Sequence, residues 1–198
     1  MSRPITKLDS IENTAIRLFA TKGIKEVTIK EIAREAGCSE GALYRHYTSK
    51  DELAWELYKR EVEKLGTLLS DILSGIGTYS KRLKQSIELF YTFFDEDPKK
   101  FTFILLSEYN FPLESKVDPG LNPYNLIFKF IEEGVKAGEF NFKDPILGGA
   151  MIQGLVLHPA KLKASGRFEV KIKEKIIEVV EACLRVLKAK KVGAKERY

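Results

Sequence analysis

At 198 residues, with 44% hydrophobic and 31% charged side chains, the chain has the composition of a globular protein with a true core, which excludes disordered and fibrous classes. Its longest apolar runs, such as 103–106 and 155–157, fall far short of the roughly 18 residues of a membrane span, and residues 1–5 carry no apolar signal core. The formal charge is +5, but the five cations Lys188, Lys190, Lys191, Lys195 and Arg197 less Glu196 supply +4 of it, so the excess reads as a solvated tail and not as a nucleic-acid footprint.

Two cysteines, Cys38 and Cys183, lie far apart without a CxxC spacing and point to reduced thiols in a cytoplasmic setting. The elements then follow in chain order. A first helix, 6–22, places Ile11, Ala15, Leu18 and Phe19 at i, i+4, i+7 and i+8. Thr28 and Glu31 have capping-box spacing and open a helix over 28–35; Gly37 ends it, and a short helix, 39–46, follows. Ser49 and Glu52 form a second such box and open a long helix, 49–73, whose apolar period runs through Leu53, Leu57, Leu65, Leu68, Leu69 and Ile72. After a break at Gly75 and Gly77 come helices at 79–95 and 98–110, the latter opened by Asp97-Pro98. Asn122-Pro123 and Asp144-Pro145 open 122–137 and 144–164, bounded by Gly138 and Gly166. The last helix, 168–190, repeats Ile172, Ile176, Val179, Val180, Cys183 and Leu187. Alternation of the strand kind is confined to 140–142. The expected fold is all-α with about nine helices. A small head, 1–48, precedes a larger helical body, 49–198, in which 49–73 is the connecting helix.

Two short helices separated by Gly37 have the form of a helix-turn-helix. Ala33 is small enough for close approach, and Leu43 faces the core with Ile32, Ala36 and Cys38. Glu40, Gly41, Tyr44, Arg45 and His46 are left facing outward. A helix entering a major groove roughly 12 Å wide needs a slim leading end, which Gly41 and Ala42 supply. Tyr44, Arg45 and His46 then offer a phenol, a guanidinium and an imidazole to phosphates and base edges, with Lys50, Thr28 and Lys30 flanking them.

The stretch TIKEIAREAGCSEGALYRHYTSKDEL, residues 28–53, resembles the signature of the TetR/AcrR family of transcriptional regulators, T-x-x-x-I-A-x-x-A-G-x-S-x-G-x-L-Y-x-H-[FY]-x-x-K-x-x-L. IENTAIRLFATKG, residues 11–23, resembles the family's upstream element. The resemblance implies that Thr28, Tyr44, His46 and Lys50 contact phosphate, and that Lys30, Glu40, Gly41, Ala42 and Arg45 are candidates for base edges. Tyr47 stands where phenylalanine is commoner, as a core aromatic, and Glu40 is an acidic residue at the leading end. Against this stands the plain reading of Lys30, Arg45, His46 and Lys50 as solvated charges and of Tyr44 and Tyr47 as core aromatics.

Signatures of catalysis are missing. His46 and His158 are the only histidines, which rules out HExxH, and no GxxxxGK loop occurs. Gly75-Ile76-Gly77 lacks the third glycine of a dinucleotide fingerprint. No enzymatic activity, metal or cofactor is expected. Residues 79–140 are rich in aromatics, which serve either as core or as the wall of an apolar cavity. The family resemblance implies an effector pocket there, with Phe90, Phe94, Tyr109, Phe128, Gln153 and His158 as candidates. It also implies a homodimer formed by helices 144–164 and 168–190. Two heads about 34–36 Å apart match successive major grooves of a palindromic site. The expectation is therefore a cytoplasmic, ligand-responsive DNA-binding regulator, a repressor, that binds double-stranded operator DNA and a small, mostly apolar effector. The alternatives are a helical small-molecule-binding protein that no longer binds DNA, and a helical enzyme with cryptic chemistry.

Overall fold

The computed structural model describes residues 6–106 and 117–188. Among them are nine α-helices and no strand: α1 (Lys7–Lys22), α2 (Ile29–Glu35), α3 (Glu40–Tyr44), α4 (Lys50–Leu73), α5 (Tyr79–Glu96), α6 (Pro98–Phe101), α7 (Pro123–Lys136), α8 (Pro145–Ala164) and α9 (Ile176–Leu187). A π-helical turn, Thr102–Leu106, continues α6, and a 3-10 turn, Ile172–Lys175, leads into α9.

The helix starts follow local chemistry, with two differences from the expected caps. Thr6 and Asp9 form a reciprocal box at α1, in which Asp9 N–H donates to the Thr6 hydroxyl (3.1 Å) and Thr6 N–H to the Asp9 carboxylate (2.8 Å). At α2 only half the expected box exists. Glu31 N–H donates to Thr28 Oγ1 (3.1 Å), but the Glu31 carboxylate turns to Lys22 Nζ (2.5 Å), because a cation is within reach. That lysine holds the Glu31 carboxyl below the usual range. At α4, Glu52 N–H donates to Ser49 Oγ (3.0 Å) while its carboxylate accepts from the hydroxyl and N–H of Thr48, one residue earlier than a box requires. The proline starts form as expected, with Asp97, Asn122 and Asp144 accepting from the first-turn amides. Residues 168–171 are not helical, and the expected 98–110 helix is a single α-turn followed by the π-turn as far as residue 106.

By compactness the chain divides differently from the expected 1–48 and 49–198. One unit holds the described residues up to Glu63 together with those from Asp97 to Val117; the other holds Lys64–Glu96 and the described residues from Asp118 on. The physical reason is aromatic. Phe101 and Phe103, expected in the body, are fully buried in the first unit, where Phe103 stacks on Phe19 (5.9 Å) and meets Tyr58 edge-on (6.3 Å). In that unit α1 packs against α2, α6 and the π-turn, and α2 packs against α3. Among the described residues its core includes Ile11, Ala15, Leu18, Phe19, Val27, Ile32, Leu43, Leu53 and Leu57.

In the second unit α7 packs on α8, and α9 packs on α5 and α8. The buried Tyr91 hydroxyl donates to the Val156 carbonyl of α8 (3.1 Å). Tyr79, Phe130 and Phe140 cluster at 5.2–6.0 Å, with the Arg82 guanidinium 4.0 Å from the Tyr79 ring centroid. Phe140 thus belongs to a turn that ends in this cluster, its N–H bonded to Gly134 O (3.1 Å), and not to a strand. Two glycines are explained by approach. A methyl group on Gly66 would be driven into the backbone carbonyl of Leu121, and one on Gly149 into the Phe128 ring.

Two measurements test this arrangement. Gly66→Ala is expected to lower stability by about 1–3 kcal/mol through overpacking against backbone, whereas Gly41→Ala, whose Cβ would meet only the Ser39 hydroxyl at 3.9 Å, is expected to be neutral or to gain about 0.5–1 kcal/mol in stability; paired denaturant titrations compare them. Burial pushes the Cys183 thiol up to about 12, while Cys38 is half-buried. A thiol reagent at neutral pH should therefore label one site per native chain and a second only on unfolding.

Candidate nucleic-acid interface

The α2–α3 segment forms a tight corner. Gly37 adopts φ +66°, a backbone conformation that costs glycine little, and this brings Cys38 N–H to the Ala33 carbonyl (3.0 Å). Ser39 makes no side-chain cap. α3 is five residues long, shorter than the expected 39–46, because His46 N–H and Tyr47 N–H both fold back onto the Leu43 carbonyl (2.9 and 3.0 Å). Leu43 is 1% exposed and Tyr44, its neighbour, 53% exposed. The burial of one fixes the exposure of the other.

Most of the expected contact residues are exposed. Glu40, Gly41, Arg45 and His46 are exposed and Ala42 is half-buried; Thr28 and Lys30, at the start of α2, are exposed. A Cβ on Gly41 would meet only the Ser39 hydroxyl, at 3.9 Å, so the leading end of α3 is slim. The Thr28 hydroxyl also caps α2. Lys50 is half-buried, and its ammonium donates to the Lys25 carbonyl (3.2 Å), strapping the 23–27 loop to α4 and leaving two further N–H donors.

The cations of this unit fall into two groups. Arg17 pairs with Glu35 (2.5 Å), Lys22 with Glu31 (2.5 Å), and Arg34 lies 3.8–4.0 Å from both carboxylates. Lys30 and Arg45 make no ion pair or side-chain hydrogen bond among the described residues. Lys30 and Arg45 thus keep their charge uncompensated by a carboxylate among the described residues.

Behind α3 is a polar network that the periodicity did not reveal. Tyr47, expected as a core aromatic, is half-buried and donates its hydroxyl to Glu12 Oε1 (2.6 Å). Arg60 donates to both oxygens of the same carboxylate, Nη1 to Oε1 (3.0 Å) and Nη2 to Oε2 (2.5 Å), and Nε lies 3.3 Å from Glu61 Oε1. Glu61 Oε2 in turn meets Lys100 Nζ (3.4 Å). Burial and the Glu12 carboxylate raise the Tyr47 phenol above its ordinary value, and the hydrogen-bonded Glu12 raises Arg60. One signal was available. Glu12 lies three, four and seven residues before Ala15, Ile16 and Phe19, within the apolar stripe, and a carboxylate there requires a buried donor.

The expected effector residues are less united. Phe90 and Phe94 are buried one turn apart on α5; Phe128 packs against Gly149, one turn from Gln153 on α8. Gln153 is half-buried, with its amide nitrogen enclosed and without a hydrogen-bond partner. His158 is exposed, roughly 140° around the helix from Gln153, and Tyr109 lies outside the described residues. An open cleft of about 550 Å³ in the second unit is lined by Asp95, Lys171, Lys173 and Glu174, none of them expected. Among the described residues no helix is long and apolar enough to cross a membrane, and no group of His, Cys, Asp or Glu could hold a metal ion.

Residues 11–57 match the profile described as bacterial regulatory proteins, tetR family. The chain is 37% identical over 115 residues to an uncharacterized HTH-type transcriptional regulator, YerO, of Bacillus subtilis, a match spanning 56% of this chain and 39% of that protein. The chain thus spans about two fifths of the length of this relative. Among solved structures it is similar to the FadR regulator of B. subtilis in complex with stearoyl-CoA (TM-score 0.75, 19% identity, 88% of this chain and 96% of that one). It is likewise similar to the ketosteroid regulator KstR2 of Mycobacterium tuberculosis (TM-score 0.76, 17% identity, 95% and 98%). Residues 11–57 thus carry the signature of the tetR family of bacterial regulatory proteins, with its corner at Gly37 in an all-helical fold.

Proposed function

We propose that this protein is a ligand-responsive, DNA-binding transcriptional repressor of the cytoplasm that binds a palindromic operator as a homodimer. One observation carries the reading: Leu43 is enclosed while Tyr44 and Arg45 stand outside, with Lys30 exposed at the start of α2 and neither cation paired with a carboxylate among the described residues. An exposed phenol next to unpaired cations on a slim helix suits phosphates and base edges and has no role in the unit's own packing. In this reading Thr28, Tyr44, His46 and Lys50 hold phosphate, and Lys30, Gly41, Ala42 and Arg45 approach bases. Glu40 approaches a cytosine amino group.

The dimer is supported by apolar surface on the helices expected to form it. Leu147, Ala150, Met151, Gly154 and His158 follow i, i+3, i+4, i+7 and i+11 along α8 and are all exposed. Ile146 (68%) and Ile177 of α9 (55%) extend the apolar surface. Small residues on such a stripe let a second helix come close. The effector reading rests on the aromatic residues of α5 and α7 and on Gln153, whose enclosed amide would orient a mostly apolar molecule. A fatty-acyl compound is the first candidate, since the similar FadR structure holds stearoyl-CoA.

The test begins with duplexes selected from a random pool by the purified protein and measured by fluorescence anisotropy at several salt concentrations. Affinity is expected to fall steeply, with a log–log slope near −0.9 per neutralised phosphate. Lys50→Ala should lower that slope by about one unit, and Arg45→Ala should weaken binding by about 1–3 kcal/mol and relax the selected sequence. A protein that yields no selected duplex, or a flat salt response, would refute DNA binding.

For the dimer, Leu147→Glu with Met151→Glu should convert it to a species near 22.5 kDa in sedimentation. Stearoyl-CoA should raise the melting temperature and release DNA if the fatty-acyl assignment holds.

A further inference from the structure

We propose that Glu12, Tyr47, Arg60, Glu61 and Lys100 form a positioning relay, in which the ionic state of α6 sets how firmly the C-terminal end of α3 is held. The inference rests on the DNA-binding reading only for its consequence, because the relay itself is a feature of one compact unit.

Its members alternate in charge. Lys100 on α6 meets Glu61 (3.4 Å), Glu61 meets Arg60 Nε (3.3 Å), Arg60 clasps Glu12 with both terminal nitrogens, and Glu12 receives the Tyr47 hydroxyl (2.6 Å). Lys100 is itself fixed from below, since its backbone N–H donates to the Asp97 cap (2.9 Å). Glu12 and Glu61 are 7% and 8% exposed, so neither can exchange its partners for water. One guanidinium therefore serves two enclosed carboxylates. When Lys100 moves away from Glu61, that carboxylate draws harder on Arg60, and Arg60 releases part of its hold on Glu12. The carboxylate that accepts from Tyr47 is then no longer fixed.

Tyr47 is the output. Its N–H bonds to the Leu43 carbonyl (3.0 Å), so the residue closes the end of α3, beside Arg45 and His46. Leu43 anchors α3 by shape, and the Tyr47 hydroxyl fixes its far end by direction. The signature admits phenylalanine or tyrosine here, and only tyrosine supplies this hydroxyl. Glu12, Arg60 and Tyr47 are positioning residues and touch no DNA in this scheme.

The experiment compares the full-length wild type with Tyr47→Phe, Lys100→Met and the double variant. Tyr47→Phe removes one oxygen and leaves the Glu12–Arg60 pair intact, and Lys100 is partly exposed, so both should fold. Amide exchange is read at His46 and Tyr47, and affinity is read with the selected duplexes described above. Each single variant should speed exchange at these two amides while leaving α1 and α4 protected. Each should also weaken DNA binding on the order of five- to tenfold. The double variant should lose no more than the weaker single variant, because both act on one path. Unchanged exchange at His46 and Tyr47, or losses that multiply in the double variant, would overturn the relay. If the wild type selects no duplex, DNA binding fails by itself, and the exchange measurement still decides the relay.

Discussion

The seating of Leu43 is the contact on which this molecule's outer surface depends. A helix of five residues has no stability of its own, since the nucleus costs more than one turn of hydrogen bonds returns. Its orientation must come from outside. Leu43 supplies a single apolar plug, the backbone link from Cys38 to Ala33 fixes the approach, and the remaining side chains are placed by helix geometry alone. Rotating α3 by one residue would bury Tyr44 and bring out Leu43, exchanging a polar reading surface for an apolar one. The core of the first unit prevents that rotation because it is close-packed.

That core is assembled from segments far apart in the chain. Phe19 of α1, Tyr58 of α4 and Phe103 of the π-turn meet in one aromatic group, so residues numbered near 100 complete the fold of residues numbered below 64. Alongside this apolar group runs the alternating chain of charges from Glu12 to Lys100. The two serve different ends. Aromatic contact is tolerant of small displacements, whereas a bidentate guanidinium–carboxylate pair holds direction and distance together. A structure that needs both stability and a defined helix orientation gains from having each.

Much of this was legible in the sequence. The proline starts at 98, 123 and 145, the corner at Gly37 and the inward Leu43 each follow from one or two residues whose chemistry allows few alternatives. Helix ends were harder, because competing partners decide them. Glu31 has the spacing of a capping box, yet Lys22 takes its carboxylate. Glu52 reaches Thr48 where Ser49 was expected. The expected boundary at residue 48 ignored Phe101 and Phe103, whose destination is a long-range matter that periodicity cannot carry. The residues expected to meet an effector were least legible for the same reason. An aromatic that lines a cavity and one that fills a core share the same spacing, and Phe128 is held against Gly149 by a fit that no local pattern encodes.

The segment through the π-turn has one more implication. Phe101, Phe103, Ile104 and Leu105 are all enclosed, and over 101–105 only Thr102 keeps partial access to solvent. Any single change of side-chain volume there disturbs several neighbours at once and has no solvent-facing direction in which to relax. Neutral drift over generations will therefore be slow at these positions and quick along the solvent-facing positions of α5. Related chains should vary along the solvent-facing positions of α5 well before they vary in how this small apolar plug is built.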